Sequence, residues 1–462
     1  MNLFSKETYQ ERRSSLKKIL SGGVLLFLGN DESSSNFKDN WYPFRQDSSF
    51  LYFFGLDLPG LVGLIDLDMD VEIIFGDELT TEELIWHGEK PKLTYLADLV
   101  GVAQTRPKKE IAKYLENGKQ RKIHYLPPYR PENRQKLVHW LNLSEPLIAT
   151  HASELFIKAV VALRSIKSEE EIWEITRAVN RSVNMHRKVM VQAKPGMKEY
   201  ELLGMVTAEA LAGGGNLSFL PIITIDGQTL HNHNYSNTLS EGKMLLGDFG
   251  AESAMHYAGD ITRTIPVGNT FSAVQKEVYQ VVWNAHRSAI EALKPGVRFL
   301  DVHLLACKKL AEGLKDMGLM KGDIEDAVQN GAHALFFQCG LGHMMGLDVH
   351  DMEDLGEAFV GYTEELKKSS QFGLKSLRLG KELENGHVIT IEPGIYFIPQ
   401  LMDQWEAQNL HQDYINYGKL ANFRNFGGIR IEDDFQITAE GSKLLGEPLE
   451  SAIHEVESLR SR

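Results

Sequence analysis

The chain has 462 residues, 43% of them hydrophobic, with a formal charge of −14 and a sequence pI near 5.6. That length supports two or so domains, and the negative balance argues against a nucleic-acid groove or an anionic membrane as partner. The only cysteines, Cys307 and Cys339, leave no disulfide framework and no thiolate zinc cluster to hold the fold together, which suits a reducing compartment.

The polar, charged N-terminus lacks the character of a signal peptide, and Val24–Leu28 is too short for a signal core or a membrane span. A cytoplasmic protein is expected. Residues 22–165 alternate strand-like runs (Val24–Leu28, Val62–Leu67, Val71–Phe75) with helical stretches (Glu110–Asn117, Arg134–Leu143), an α/β pattern. A new helix is then predicted over Glu169–Gln192, where Ile172, Ile175, Val179, Val183 and Val189 recur at near-helical spacing. Ser168 followed by three glutamates is a strong start signal for it. The expected domains are therefore 1–165 and 166–462.

The second domain repeats itself. His186-Arg-Lys-Val-Met-Val-Gln-Ala-Lys-Pro-Gly196 is echoed 100 residues later by His286-Arg-Ser-Ala-Ile-Glu-Ala-Leu-Lys-Pro-Gly296, and each copy precedes a helical stretch, Glu199–Ala212 and Leu300–Met317. Downstream, Gly242-Lys-Met-Leu-Leu-Gly-Asp248-Phe-Gly250 is matched 144 residues on by Gly386-His-Val-Ile-Thr-Ile-Glu392-Pro-Gly394. Each half thus reads helix, Lys-Pro-Gly, helix, strands, acid, and two such halves facing each other bring their acids together. A carboxylate in a half-buried strand costs several kcal/mol unless it is paired or holds a cation.

Each half also has a second acid. Asp260 is expected on the return strand of a hairpin after Asp248, and Glu432 within a strand reading Phe426-Gly-Gly-Ile-Arg-Ile-Glu432-Asp-Asp-Phe. One such acid alone is ordinarily a solvated turn residue. Four in a duplicated frame point to a shared site. Between the pairs lies a glycine-rich segment, Phe336-Phe-Gln-Cys-Gly-Leu-Gly-His343-Met-Met-Gly-Leu-Asp-Val-His350, which leaves the His343 imidazole accessible. Four carboxylates and one imidazole suit two divalent ions of the hard or borderline kind, manganese, cobalt or zinc, about 3.5–4 Å apart and sharing one hydroxide.

The motifs Asp248/Asp260-Ile-Thr-Arg, Gly342-His343, Ile391-Glu392-Pro-Gly-Ile-Tyr and Arg430-Ile-Glu432-Asp-Asp resemble the pita-bread metallopeptidases, and within them the prolidase and aminopeptidase P branch. Tyr42-Pro-Phe-Arg-Gln-Asp-Ser-Ser-Phe-Leu-Tyr-Phe-Phe-Gly55 resembles that branch's non-catalytic N-terminal domain. The resemblance implies a small α/β N-terminal domain followed by a pseudo-twofold pita-bread α+β catalytic domain. It implies that Asp248, Asp260, His343, Glu392 and Glu432 bind two metal ions, with Mn2+ first and Co2+ or Zn2+ as alternatives. Glu392 is then also the general base and acid while the shared hydroxide attacks the scissile carbonyl. His231 and His350 match histidines that contact substrate and transition state; of His231 and His233, the interval to Asp248 favours His231. Arg430, two residues from Glu432, is placed to orient a carboxylate. A homodimer is the expected assembly.

Two features depart from the family pattern. Cys339 occupies a position that usually holds histidine, and a thiol cannot carry the charge of an imidazolium. The Asp248–Asp260 interval is one residue longer than usual, which lengthens the hairpin turn. About thirty mixed polar residues before Gly427-Gly428, together with Arg378 at a place where prolidases carry a carboxylate-binding arginine, favour an Xaa-Pro dipeptidase. An Xaa-Pro aminopeptidase acting on longer peptides is the alternative. A metal-free pita-bread binding module and a creatinase-like hydrolase are more remote readings. Leu211-Ala-Gly-Gly-Gly-Asn216 lacks the lysine of a phosphate loop and is read as a helix end. His303 and His333 are read as helix-surface or core residues, and Met344 and Met345 as pocket walls.

Overall fold

The computed structural model describes residues 2–116 and 121–462; Asn117, the end of one predicted helix, lies outside them. The chain forms two compact units, one of residues 1–164 with 352–359, the other of 165–351 with 360–462.

The first unit is built on a five-stranded mixed sheet from β1 (Val24–Leu28), β2 (Val62–Asp66), β3 (Val71–Phe75), β4 (Gln104–Arg106) and β5 (Ile123–Tyr125), in the order β4-β3-β2-β1-β5. β1 pairs β5, and β3 pairs β4, in parallel; the central pairings are antiparallel. One face packs Val24, Leu26, Leu28, Val62, Leu64, Ile73 and Phe75 on Ile111, Leu115 and Leu137 of the following helices, and β1 and β2 are buried at every position, so both faces of the sheet centre are covered. The helix expected at Arg134–Leu143 spans Pro131–Leu141, because proline serves as its first residue and Asn142 ends it in the left-handed region at φ 52°.

The second unit bears out the duplication in its backbone. The Glu169–Gln192 helix starts in a capping box, with Ser168 Oγ accepting from the Glu171 amide and the Glu171 carboxylate accepting from the Ser168 amide. In each half a Lys-Pro-Gly turn follows, with Gly196 at φ 92° and Gly296 at φ 80°, where a side chain would strain the backbone. The Gly196 amide donates to the Leu239 carbonyl and the Gly296 amide to the Leu383 carbonyl, both at 2.8 Å. These partners are again 144 residues apart. Lys198 then bridges Thr238 and Arg298 bridges Glu382, and the next helices run Glu199–Ala212 and Phe299–Asp316.

Each half contributes a three-stranded antiparallel sheet. The first is β6 (Ile222–Thr224), β7 (Met244–Asp248) and β8 (Thr262–Pro266), in sequence order. The second orders β13 (Ser442–Leu444), β12 (Asp433–Ile437) and β9 (Val388–Ile391), while β10 (Gly394–Tyr396) pairs β11 (Gly428–Arg430). A single bridge, Thr262 to Glu432, joins the halves where the acids lie. The mixed polar stretch after Phe397 is not simple loop. It holds a helix, Pro399–Ala407, and Phe397 packs against Phe423 and Phe426 with ring centroids 4.7 and 5.1 Å apart.

Lys167 and Asp351 form an ion pair of 2.8 Å in this unit, each side chain 1% exposed. Removing one partner leaves a buried charge without its counterion. Lys167→Met is expected to lower the unfolding free energy by about 3–5 kcal/mol, measured by urea denaturation; a loss within 1 kcal/mol would contradict this account.

Candidate active site

The acids sit at strand ends rather than inside strands, where the sequence pattern puts them. Asp248 closes β7, but Asp260 lies two residues before β8, Glu392 just after β9, and Glu432 between β11 and β12. The cause is where their amides go. The Asp260 N–H donates to Asp434 Oδ2 at 3.0 Å and the Glu392 N–H to the Leu341 carbonyl at 2.7 Å, both outside the ladders. The carboxyl groups are thereby aimed inward at the junction of the two sheets.

There Asp260, His343 and Glu432 each present a ligand atom, all within 4.8 Å of one another, and all three residues are buried. His343 Nε2 is 3.4 Å from Asp260 Oδ2 and 3.8 Å from Glu392 Oε1. Its Nδ1 donates to the Met344 carbonyl at 3.0 Å, which fixes the tautomer whose Nε2 lone pair faces the acids. His350 stacks edge-on against His343, ring centroids 4.4 Å apart. Asp248 is held by the Arg430 guanidinium. The same guanidinium donates to Tyr396 Oη at 2.7 Å and to Thr262 Oγ1 at 3.1 Å, and the Thr262 hydroxyl in turn donates to Glu432 at 2.6 Å. Arg430 and Glu432 do face one place, as their spacing predicts, but the arginine is buried and engaged by the protein itself.

Two residues that mark the repeat lie behind the acids, and one of them, His186, is hydrogen-bonded there. His186 Nε2 lies 3.1 Å from the Phe249 carbonyl and 2.8 Å from the Ile261 carbonyl, next to Asp248 and Asp260. His286 Nε2 lies 3.5 Å from Asp433 Oδ2, beside Glu432, and neither of its ring nitrogens has a hydrogen-bond partner. Burial keeps both imidazoles neutral, pushed down to about 3 and about 4. Sequence reasoning used these histidines as landmarks and assigned them no role; their equal placement ten residues before each Lys-Pro-Gly glycine was the available signal. It also passed over Thr262 and Tyr396, although both lie inside the quoted motifs.

His231 is exposed on its loop, its ring centroid 6.5 Å from that of His233. Crowding, then the positive charges of Arg430 and Arg378, lower its basicity, while Asp248 raises it, so His231 lies within electrostatic reach of Asp248 and of both arginines. His233 turns to the Pro221 carbonyl at 3.4 Å. Cys339 is partly buried; desolvation first, then the Glu392 charge, push its thiol up to about 11. The hairpin between Asp248 and Asp260 turns at Ser253–Tyr257, with His256 at φ 67°.

The acids repel. Desolvation first, and then neighbouring carboxylates, push Asp260 up to about 8, Glu392 to about 7 and Glu432 well above the usual carboxylate range. Asp260 Oδ1 is buried with no hydrogen-bond partner. An orphaned carboxylate oxygen among acids and a correctly oriented imidazole fits the donor set of hard or borderline divalent ions. Such a buried acid–imidazole centre has the donor set of a divalent-metal protein.

The pattern of metallopeptidase family M24 matches residues 174–439, and that of the aminopeptidase P N-terminal domain matches residues 9–125. The Xaa-Pro dipeptidase of Homo sapiens is 32% identical over 448 residues, spanning 94% of this chain and 88% of its own. Among solved structures, proline aminopeptidase P II from Yersinia pestis superposes with a TM-score of 0.82 at 27% identity, over 99% of this chain and 100% of that one. A zinc-substituted Escherichia coli aminopeptidase P in complex with product gives 0.79 at 26% identity, over 100% and 99%. The chain belongs to metallopeptidase family M24 in its prolidase and aminopeptidase P branch, with the pita-bread fold that the resemblance implies. It is a metallopeptidase, and membership implies divalent metal ions.

The raised carboxyls give a signed pH dependence. Without metal, the folded unit holds protons on Asp260 and Glu392 that the unfolded chain has released, so stability falls as pH rises through their folded values of about 8 and about 7. Buried neutral histidines act in the opposite sense only below about pH 6.5. Chelated protein is therefore expected to melt at a lower temperature at about pH 8.5 than at about pH 7, with the difference removed by Mn2+. Calorimetry checks this; a melting temperature that climbs over that window in chelated protein contradicts it.

Proposed function

We propose that the protein is an Xaa-Pro dipeptidase that hydrolyses the peptide bond before proline in dipeptides. The observation that carries the reading is the cluster of Asp260, His343 and Glu432 at the sheet junction, with Glu392 3.8 Å from His343, Asp248 in electrostatic reach of Asp260, and an Asp260 oxygen left unpartnered. These five residues hold two divalent ions, Mn2+ first and Co2+ or Zn2+ as alternatives. When bound, the ions polarise the scissile carbonyl and lower the pKa of water.

The chain's own residues do the rest. Glu392 has 18% of its side chain open to solvent, against 7% for Asp260 and 11% for Asp248. It is therefore the acid of the three best able to exchange a proton with substrate, taking it from the attacking water and passing it to the departing proline nitrogen. Arg430 holds Asp248 in place through a network that also fixes Tyr396 and Glu432. His231 and His350, flanking the acids, contact the substrate. An X–Pro bond is a tertiary amide with no N–H, so recognition must rest on the ring and the termini. Arg378, close enough to His231 to depress its basicity, is assigned the dipeptide's C-terminal carboxylate; Arg430, already engaged, is left a positioning role.

We read residues 1–165 as the non-catalytic domain and 166–462 as the catalytic one. A cytoplasmic homodimer is proposed with them, supported by the commonness of twofold assembly and by two unpaired cysteines. No described helix is long and apolar enough to cross a membrane. The second reading, an Xaa-Pro aminopeptidase, is favoured by the solved structures that superpose on this chain.

Assay of Gly-Pro against Gly-Pro-Ala decides between them. Faster hydrolysis of Gly-Pro is expected, with KM for Gly-Pro raised in Arg378→Leu; fast tripeptide cleavage with little on the dipeptide selects the aminopeptidase. Glu392→Gln is expected to lower kcat by about 10²–10⁴-fold, and unchanged activity in that variant would rule out its proton-transfer role.

A further inference from the structure

A second cluster of ligand-type side chains lies in the second unit, composed of residues that the acid centre does not use. His303 and Cys307 are one helical turn apart on the Phe299–Asp316 helix and so share a face. His333 comes from the short turn Ala332–Leu335, entered through Gly331 at φ 84°. The three offer ligand atoms that all lie within 4.8 Å of one another. They are 0%, 0% and 2% exposed.

The hydrogen bonding of this cluster is incomplete. Cys307 Sγ and His303 Nε2 are 3.4 Å apart, a weak contact. Neither ring nitrogen of His333 has a partner, nor has His303 Nδ1. The Val328 carbonyl lies close enough to influence His333 but outside hydrogen-bonding geometry. Buried imidazole nitrogens are ordinarily satisfied, and an apolar core gains nothing from two histidines and a thiol placed together. Burial also holds both imidazoles neutral, the form in which they ligate.

We propose that His303, Cys307 and His333 form a second metal site that takes one zinc-class ion. One thiolate and two imidazoles select a softer ion than the carboxylate centre does. Binding converts the Cys307 thiol to thiolate and releases its proton, while the imidazoles lose none. The site pins the start of the segment that runs from His333 through Cys339 to His343. That segment is tied along its length to the strand beyond Glu392, through Tyr396 to the Phe336 carbonyl and Glu392 to the Leu341 carbonyl. The ion is structural, and the inference does not rest on the peptidase reading.

Cobalt reports on it selectively, because a thiolate-to-cobalt charge-transfer band in the near ultraviolet cannot arise from carboxylate and imidazole ligands. Titrating metal-free, full-length protein with Co2+ is expected to raise such a band, saturable and displaced by Zn2+, whatever further Co2+ the acid centre takes up. The band is expected to vanish in Cys307→Ser and to persist in Cys339→Ser and Glu432→Gln. In His333→Gln the apparent cobalt affinity is expected to fall at least about tenfold. Far-ultraviolet circular dichroism checks the fold of each variant, and His333→Gln carries the test if Cys307→Ser does not fold. Absence of the band in the unmodified protein, its survival in folded Cys307→Ser, its loss in Cys339→Ser, or an unchanged affinity in His333→Gln overturns the proposal.

Discussion

The catalytic unit depends on an excess of negative charge held away from water. Asp248, Asp260, Glu432 and Asp434 are all buried and Glu392 nearly so, yet the guanidinium bonded directly into this group is that of Arg430. Carboxylates in this arrangement cannot all be ionised, because each adds to the others' desolvation cost. The centre is therefore stable in two conditions, with protons on its acids or with cations between them. Its polar wiring follows from the same constraint. Thr262 accepts from Arg430 and donates to Glu432, so one hydroxyl relays positive charge from the arginine that grips Asp248 toward an acid of the other half.

Duplication supplied the frame and left the chemistry unequal. The Lys-Pro-Gly turns, the bridges after them and the histidines behind each acid pair correspond, down to the carbonyl each glycine amide meets. His186 clamps the residues after Asp248 and Asp260 by two carbonyl contacts, whereas His286 faces Asp433. The first pair is thus fastened on both sides. In the second pair Glu432 is buried more deeply than either acid of the first, and Glu392 is the acid of the four that keeps most contact with solvent.

Much of this was legible in the sequence because repetition is legible. Offsets of 100 and 144 residues reappear as paired hydrogen bonds, and the acids of the two repeats do meet. What could not be read was where the strands stop. Asp260 and Glu392 sit in apolar runs that favour continued ladders, and only tertiary partners, Asp434 and the Leu341 carbonyl, pull their amides out. Arg430 shows the same limit. Its spacing from Glu432 placed it on the correct face, but nothing local indicates that Asp248, 182 positions earlier, occupies its guanidinium. The polar stretch after Phe397 hid a helix because its buried residues, Met402 and Trp405, are too few to set a period.

Cys339 is best understood against this charge excess. An imidazole at that position would sit beside Glu392, Arg430 and Tyr396, the groups that act on the thiol, and its charge would depend on which of them prevailed. A thiol held up to about 11 by burial and by Glu392 stays neutral under all ordinary conditions. It therefore neither adds to the carboxylates' repulsion nor relieves it. Tyr396 accepts from Arg430 and also reaches the thiol, so the phenol has a cationic partner without a cation at residue 339. The substitution removes a switchable charge from the rim while leaving the Arg430–Asp248 grip intact. The guanidinium bonded among these acids is then that of Arg430, already engaged by Asp248 and Tyr396.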